Sequence, residues 1–380
     1  MTKIKSIGLI CFFSILLAFG CTTFNISATD NNVLVDARDA LNFETIIKKT
    51  KESVILLVAS TEENPSTQTA DQNAICSGAV VGEKAHIITN FHCIYKQNYI
   101  RAYYWDQNDW KEHKVNVIGL DPHADLALLE VLDKKIQPPS LKFADNVTVG
   151  EDVWALGHPM GMTWTVTKGI ISSNERYARH PYVKTLQTDT AINKGNSGGP
   201  LLNMKGEIVG INALIISRIS ENAGVALAVR GDIVKDSFET MLEHGRVDRP
   251  AIGVMIMPLM TKKQVDAVIK KFPKLKREDI PNTWGLFVSP GEVDEKNPPL
   301  ELPKGVKPFD VIMAINGEPI NNGIDLADEL IKYKIDEIIT LMVIRNHKFV
   351  KVDIPLKVFP VPVDQMYQSA RKPFLPAPPK

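Results

Sequence analysis

From Val54 onward the chain alternates short apolar, β-branched runs with turn residues. Runs at 54–58, 77–81, 86–89, 115–118 and 126–129 are followed by others at 152–156, 169–172, 201–202, 208–211 and 224–228. Many short strands at this spacing predict an all-β barrel or sandwich domain. A helical pattern over 233–243 closes it. Before it, 22–39 is polar, and 41–50 reads as a short helix or an N-terminal arm.

The pattern then changes. Residues 244–250 are charged and end in Pro250, which marks a linker. Residues 251–358 mix strands, at 285–289, 310–315, 338–344 and 349–354, with helices at 262–271 and 325–333. The tail, 359–380, carries Pro360, Pro362, Pro373, Pro376, Pro378 and Pro379, and such a segment cannot bury a core. The expected organisation is a targeting segment at 1–20, a linker at 21–40, a β domain at 41–243, a linker at 244–250, an α+β domain at 251–358, and the tail.

Composition adds limits. The 380 residues suit two ordinary domains, and an apolar content of 44% supports a core in each. Lysine plus arginine (44) balance aspartate plus glutamate (44), so no basic field marks a nucleic-acid binder. At the N-terminus, Lys3 and Lys5 precede an apolar run over 7–19, too short for a comfortable membrane span. That pattern predicts export. Leu17-Ala18-Phe19-Gly20-Cys21 resembles a lipoprotein cleavage box with Cys21 as the lipidated residue; ordinary cleavage after Gly20 is the competing reading. Two of the four cysteines, Cys76 and Cys93, then remain, either as a disulfide or as two buried thiols.

Three segments carry chemistry. Gly195-Asn196-Ser197-Gly198-Gly199 flanks a serine with glycines, which let the backbone turn sharply and present N–H groups to a developing oxyanion. Serine needs a base to take its proton. His92, at the end of the run 86–89, supplies an imidazole, and Asp125, just before the run 126–129, supplies a carboxylate. The order His, Asp, Ser is that of trypsin-like enzymes and differs from those of subtilisins and α/β-hydrolases. His123, Asp121 and Asp189 are the nearest rivals; they lack the strand-end context.

These segments resemble the HtrA/Deg family of PDZ-containing serine proteases. The resemblance rests on TNFHC (89–93), DPHADLALLEV (121–131) and QTDTAINKGNSGGPLLN (187–203), with VTKGIIS (166–172) and GVALAV (224–229) fitting its barrel strands. It implies a mostly β, two-barrel trypsin-like (chymotrypsin-fold) domain followed by an α+β PDZ-like domain. It implies His92 as base, Asp125 as its orienting partner and Ser197 as nucleophile, with Gly195, Asn196 and Ser197 forming the oxyanion hole. Cys76 and Cys93 resemble the disulfide that many trypsin-like enzymes place beside the catalytic histidine, which typical HtrA proteins lack. A metal bound by these cysteines and His92 would consume the base, so no metal or cofactor is expected.

The resemblance also sets expectations for recognition. The primary pocket is expected from Ala191, Ile192, Ile211 and Ala226, uncharged and narrow, favouring cleavage after small or medium aliphatic residues. Asn196 stands where digestive relatives carry an aspartate, so loop ordering at 174–182 and 214–223 replaces activation by N-terminal cleavage. Ala251-Ile252-Gly253-Val254 resembles a PDZ carboxylate-binding turn, and FDVIMAINGEPI (309–320) a PDZ strand run. Partners implied are polypeptide substrates and peptide C-termini, with a homo-oligomer (a trimer in the family, with Phe43 among the contacts) in the periplasm or envelope. The alternatives are a non-proteolytic PDZ-dependent chaperone and a signalling protease with one substrate.

Overall fold

A computed structural model describes residues 43–63, 74–106, 109–133, 135, 137–177, 183–213, 224–259, 261–273, 275–280, 284–289 and 302–358. The targeting segment, Cys21, the linker at 21–40, the loop residues 178–182 and 214–223, and the proline-rich tail lie outside them. The chain divides into a unit over residues 1–48 and a second over 49–380. In the first, residues 43–48 are helical, with Lys48 paired to Glu44 one turn away.

The second unit begins with two closed six-stranded barrels. The first comprises β1 (Val54–Ser60), β2 (Ala74–Val81), β3 (His86–Asn90), β4 (Tyr99–Asp106), β5 (Asp109–Asp121) and β6 (Leu126–Val131). The second comprises β7 (Asp152–Gly157), β8 (Thr165–Tyr177), β9 (Lys184–Thr188), β10 (Pro200–Asn203), β11 (Ile208–Ala213) and β12 (Ala226–Arg230). Alternation explains the closure. On β4, Ala102 and Tyr104 point into the core while Arg101 and Tyr103 point out, and closing the sheet leaves no unpaired edge. The two cores are separate. Ile55, Leu57, Val80, Ile87 and Leu129 fill the first, and Val153, Ile171, Leu186, Leu201 and Val209 the second. Each such side chain contributes about 1.5–3 kcal/mol.

A short helix α1 (Phe91–Ile94) follows β3, and α2 (Gly231–His244) follows β12. α2 ends on Gly245, whose left-handed φ of 72° lets its N–H reach the carbonyl of Met241. At the seam between the barrels, three indoles and an imidazole meet. Trp105 and Trp110, on the β4–β5 hairpin, pack edge-on at 5.4 Å, and Trp164 lies 5.2 Å from each. His158 closes the group at 5.5 Å from Trp110, and Lys51 lies 4.8 Å above the Trp164 ring.

Past residue 249 lies a six-stranded sheet built from β14 (Ile256–Pro258), β15 (Leu286–Val288), β16 (Val311–Ile315), β17 (Glu318–Pro319), β18 (Ile338–Arg345) and β19 (Lys348–Pro355). A separate pair joins β13 (Pro250–Ala251) to β20 (Lys357–Val358). Period-two alternation sends Leu286 and Val288 into one core and Phe287 into another, so both faces of the sheet are covered. α3 (Lys262–Lys271) presents Val265 and Val268 to the second core, as its pattern predicts. α4 (Gly323–Leu330) starts two residues before the expected 325, because Asn322 caps it by accepting from the N–H groups of Ile324 (2.7 Å) and Asp325 (3.1 Å).

Candidate active site

Strand register brings His92 and Asp125 together. β3 pairs antiparallel with β6, and Asn90 stands opposite Leu126. The residue just past one strand therefore neighbours the residue just before the other, so His92 and Asp125 meet although 33 positions apart. Asp125 Oδ2 lies 2.7 Å from His92 Nδ1, and Oδ1 accepts the His92 main-chain N–H at 2.9 Å. A carboxylate accepts only, so Nδ1 carries the ring proton and Nε2 of the neutral ring is left as the acceptor. Asp125 itself is buried in a left-handed conformation, φ 56°. Its carbonyl accepts from Phe91 N–H and from Asn90 Nδ2, both at 2.9 Å, which holds that unfavourable backbone in place.

Ser197 arrives from the other barrel, in the turn between β9 and β10. Gly198 follows it with φ 81°, and a Cβ there would lie 2.2 Å from Thr89 Oγ1 and 2.3 Å from the Ser77 carbonyl oxygen. Only glycine fits both the dihedral and the space. One sulfur ties the halves of the site together. Cys93 Sγ is 3.7 Å from His92 Nε2 and 4.0 Å from the Ser197 carbonyl oxygen.

The N–H inventory of the turn departs from expectation at one residue. Asn196 N–H donates to the Asn193 carbonyl at 3.0 Å, so it is spent inside the turn and cannot serve an oxyanion. Among the described residues, no acceptor is recorded for the N–H groups of Gly195 and Ser197. Of the three residues expected at the hole, Gly195 and Ser197 keep main-chain N–H groups open to an incoming acceptor. The Asn196 side chain is buried, with neither amide atom hydrogen-bonded.

The rival residues have other surroundings. Burial, helped by the positive charge of Arg249, pushes the His123 imidazole down to about 4. Asp121 is wholly buried and engages Arg249, the Ser237 hydroxyl at 2.7 Å and the Ala124 N–H at 3.0 Å. Asp189 accepts the Ile170 N–H at 2.7 Å on the outside of the second barrel. Cys76 and Cys93 are joined as a disulfide across 17 residues. Their sulfurs and His92 sit close enough together to suggest metal ligation, but sulfurs bonded to each other are not thiolates.

Comparisons with known proteins identify the family and the fold. Residues 76–211 match the trypsin-like peptidase domain family. A probable periplasmic serine endoprotease, DegP-like, of Pseudomonas putida is 32% identical over 295 residues, covering 76% of this chain and 57% of that protein. Its Rhizobium meliloti counterpart is 36% identical over 257 residues, covering 66% and 47%. The chain belongs to the HtrA/Deg family. It spans about half the length of these relatives. Among solved structures, an HtrA-type protease, AlgW, with a decapeptide superposes with a TM-score of 0.67 over 84% of this chain and 99% of that one, at 24% identity. A serine endoprotease from Yersinia pestis gives 0.62 over 84% and 98%, also at 24%. These likenesses establish the fold.

Two further regions hold the residues expected from the sequence to act in recognition. Ile192 and Ile211 are buried in the second barrel, whereas Ala191 and Ala226 keep some exposed surface. Ala191 also accepts the Thr167 hydroxyl at 2.9 Å through its carbonyl. Ahead of the C-terminal sheet, Ala251 and Ile252 are buried, Gly253 has φ 68°, and Val254 packs against the same core as Ile252. β14, which follows, pairs with β15 on one side and has no strand on its other side among the described residues.

Sequence reasoning missed two supports. Asn90 sits inside the quoted motif TNFHC and secures Asp125; its amide two residues before the histidine was the available signal. Ser77, beside Cys76, touches the serine turn from the opposite barrel, and no local pattern marks it.

Proposed function

We propose that the protein is an exported serine endopeptidase acting on misfolded or regulatory envelope polypeptides. The observation that carries this reading is the 2.7 Å contact between Asp125 and Nδ1 of His92, which leaves Nε2 as the ring's acceptor, 3.7 Å from the sulfur of Cys93. His92 Nε2 takes the Ser197 proton as Oγ attacks the scissile carbonyl. The N–H groups of Gly195 and Ser197 receive the oxyanion, and the imidazolium returns its proton to the leaving amine. Water then repeats the sequence on the acyl-enzyme. Asp125 fixes the tautomer and stabilises the charged ring.

The wall formed by Ala191 and Ala226, backed by Ile192 and Ile211, contains no charge to pair with Arg or Lys, which favours Val, Ala or Ile before the cut. The segment from Ala251 to Val254, followed by the open edge of β14, suits capture of a peptide C-terminus by main-chain N–H groups and strand addition. The names of the relatives support an exported, periplasmic setting, with anchoring through Cys21 if that residue is lipidated.

Casein digestion by the full chain tests the reading, with fragments sequenced by mass spectrometry and with peptides of apolar C-terminus added or omitted. Cuts should fall after small and medium aliphatic residues, and the peptides should alter the rate. Fragments ending mainly in Arg or Lys would overturn the pocket assignment. A rate indifferent to peptides would remove the regulatory role of the second domain.

A further inference from the structure

Ser77, in β2, is wholly buried, and each of its polar groups is used. Its N–H donates to the Ser197 carbonyl at 2.8 Å, and its own carbonyl accepts from Thr89 Oγ1 at 2.8 Å. Its hydroxyl donates to the Gly195 carbonyl at 2.7 Å and accepts the His158 N–H at 3.0 Å. The direction of that proton is not arbitrary. A carbonyl only accepts and a main-chain N–H only donates, so the hydroxyl hydrogen must point at Gly195. Ser77 belongs to the first barrel, whereas Gly195, Ser197 and His158 belong to the second.

Three peptide planes matter in the turn. The planes Lys194–Gly195 and Asn196–Ser197 carry the two N–H groups without recorded acceptors. The plane between them, Gly195–Asn196, is held at both ends: Ser77 Oγ binds its carbonyl and the Asn193 carbonyl binds its N–H. Gly195 has φ 104°, a residue with no side chain to resist rotation, and the Asn196 side chain makes no hydrogen bond. We propose that Ser77 is a positioning residue for oxyanion stabilisation, its hydroxyl clamping the Gly195–Asn196 peptide so that the N–H groups on either side keep their aim. The inference rests on Ser197 being the nucleophile. The supporting wall is built to admit the clamp. A Cβ at Gly157 would lie 2.9 Å from Ser77 Oγ and 2.7 Å from Asn196 Oδ1, so only glycine lets β7 end there.

Ser77→Ala keeps both main-chain bonds and removes the clamp. In the full chain, kcat on a cleaved peptide is expected to fall about 10- to 100-fold with KM within about twofold, less than the loss of a whole donor. Affinity for a peptide boronic acid, which forms a tetrahedral adduct on serine, should fall by a similar factor. Ile55→Val, which trims the first barrel's core, serves as the comparator for lowered stability and should retain kcat. If the alanine protein does not fold, Ser77→Cys fills the same space with a poor donor and should show the same split. A Ser77 variant that melts lower yet keeps kcat and boronate affinity overturns the proposal and leaves the nucleophile assignment standing. A wild-type protein inert to both peptide and fluorophosphonate overturns both.

Discussion

Ser197→Ala is expected to lower kcat by about 10⁶-fold, the loss seen when a triad serine is removed and only binding and the oxyanion donors remain. The size follows from chemistry. Without Oγ there is no acyl-enzyme, and water must attack the carbonyl unaided by a covalent step. The protein should stay folded, because the structural duties of residue 197 belong to its main chain; its carbonyl accepts the Ser77 N–H at 2.8 Å. Melting temperature should therefore hardly move while casein survives and fluorophosphonate labelling disappears. Equal activity in variant and wild type would sink the catalytic assignment.

Asp125→Asn should cost about 10⁴-fold in kcat. Two features make this substitution informative. Asparagine tolerates a left-handed backbone, so φ 56° adds no strain, whereas alanine there would confuse strain with chemistry. The main-chain anchors of residue 125, its carbonyl bonds to Phe91 and Asn90, are also unchanged. The altered atom is the acceptor at His92 Nδ1. An amide NH₂ turned towards that nitrogen selects the wrong tautomer and places the ring proton on Nε2, where a lone pair is needed. A variant retaining more than a tenth of wild-type kcat at unchanged stability would show that Asp125 does not orient the base.

The meeting of His92 with Asp125 was more legible than parts of the fold around it. The histidine and aspartate could be read because strand ends are visible in sequence: an apolar run stops at Asn90 and another starts at Leu126, and antiparallel pairing does the rest. The serine could be read because glycines cluster only where backbone must turn or approach closely. Strands β4 and β9 were not predicted. In β4 the outward residues are Arg101, Tyr103 and Trp105, so the apolar signal rests on Ile100, Ala102 and Tyr104 alone. In β9, two threonines and a glutamine accompany a single leucine. The contacts of Ser77 with the serine turn depend on hydrogen bonds made where the two barrels meet. No spacing along the chain encodes them.

The cluster of indoles at the seam has a spectroscopic consequence. Rings separated by 5.2–5.4 Å share their excitations, and Trp164 joins the Trp105–Trp110 pair from the opposite barrel. The docked pair of barrels therefore carries an optical signature, exciton-coupled circular dichroism, that neither barrel produces in full alone. Light absorption by three tryptophans can thus report whether the two barrels are together, in the Ser197→Ala variant as well as in the wild type.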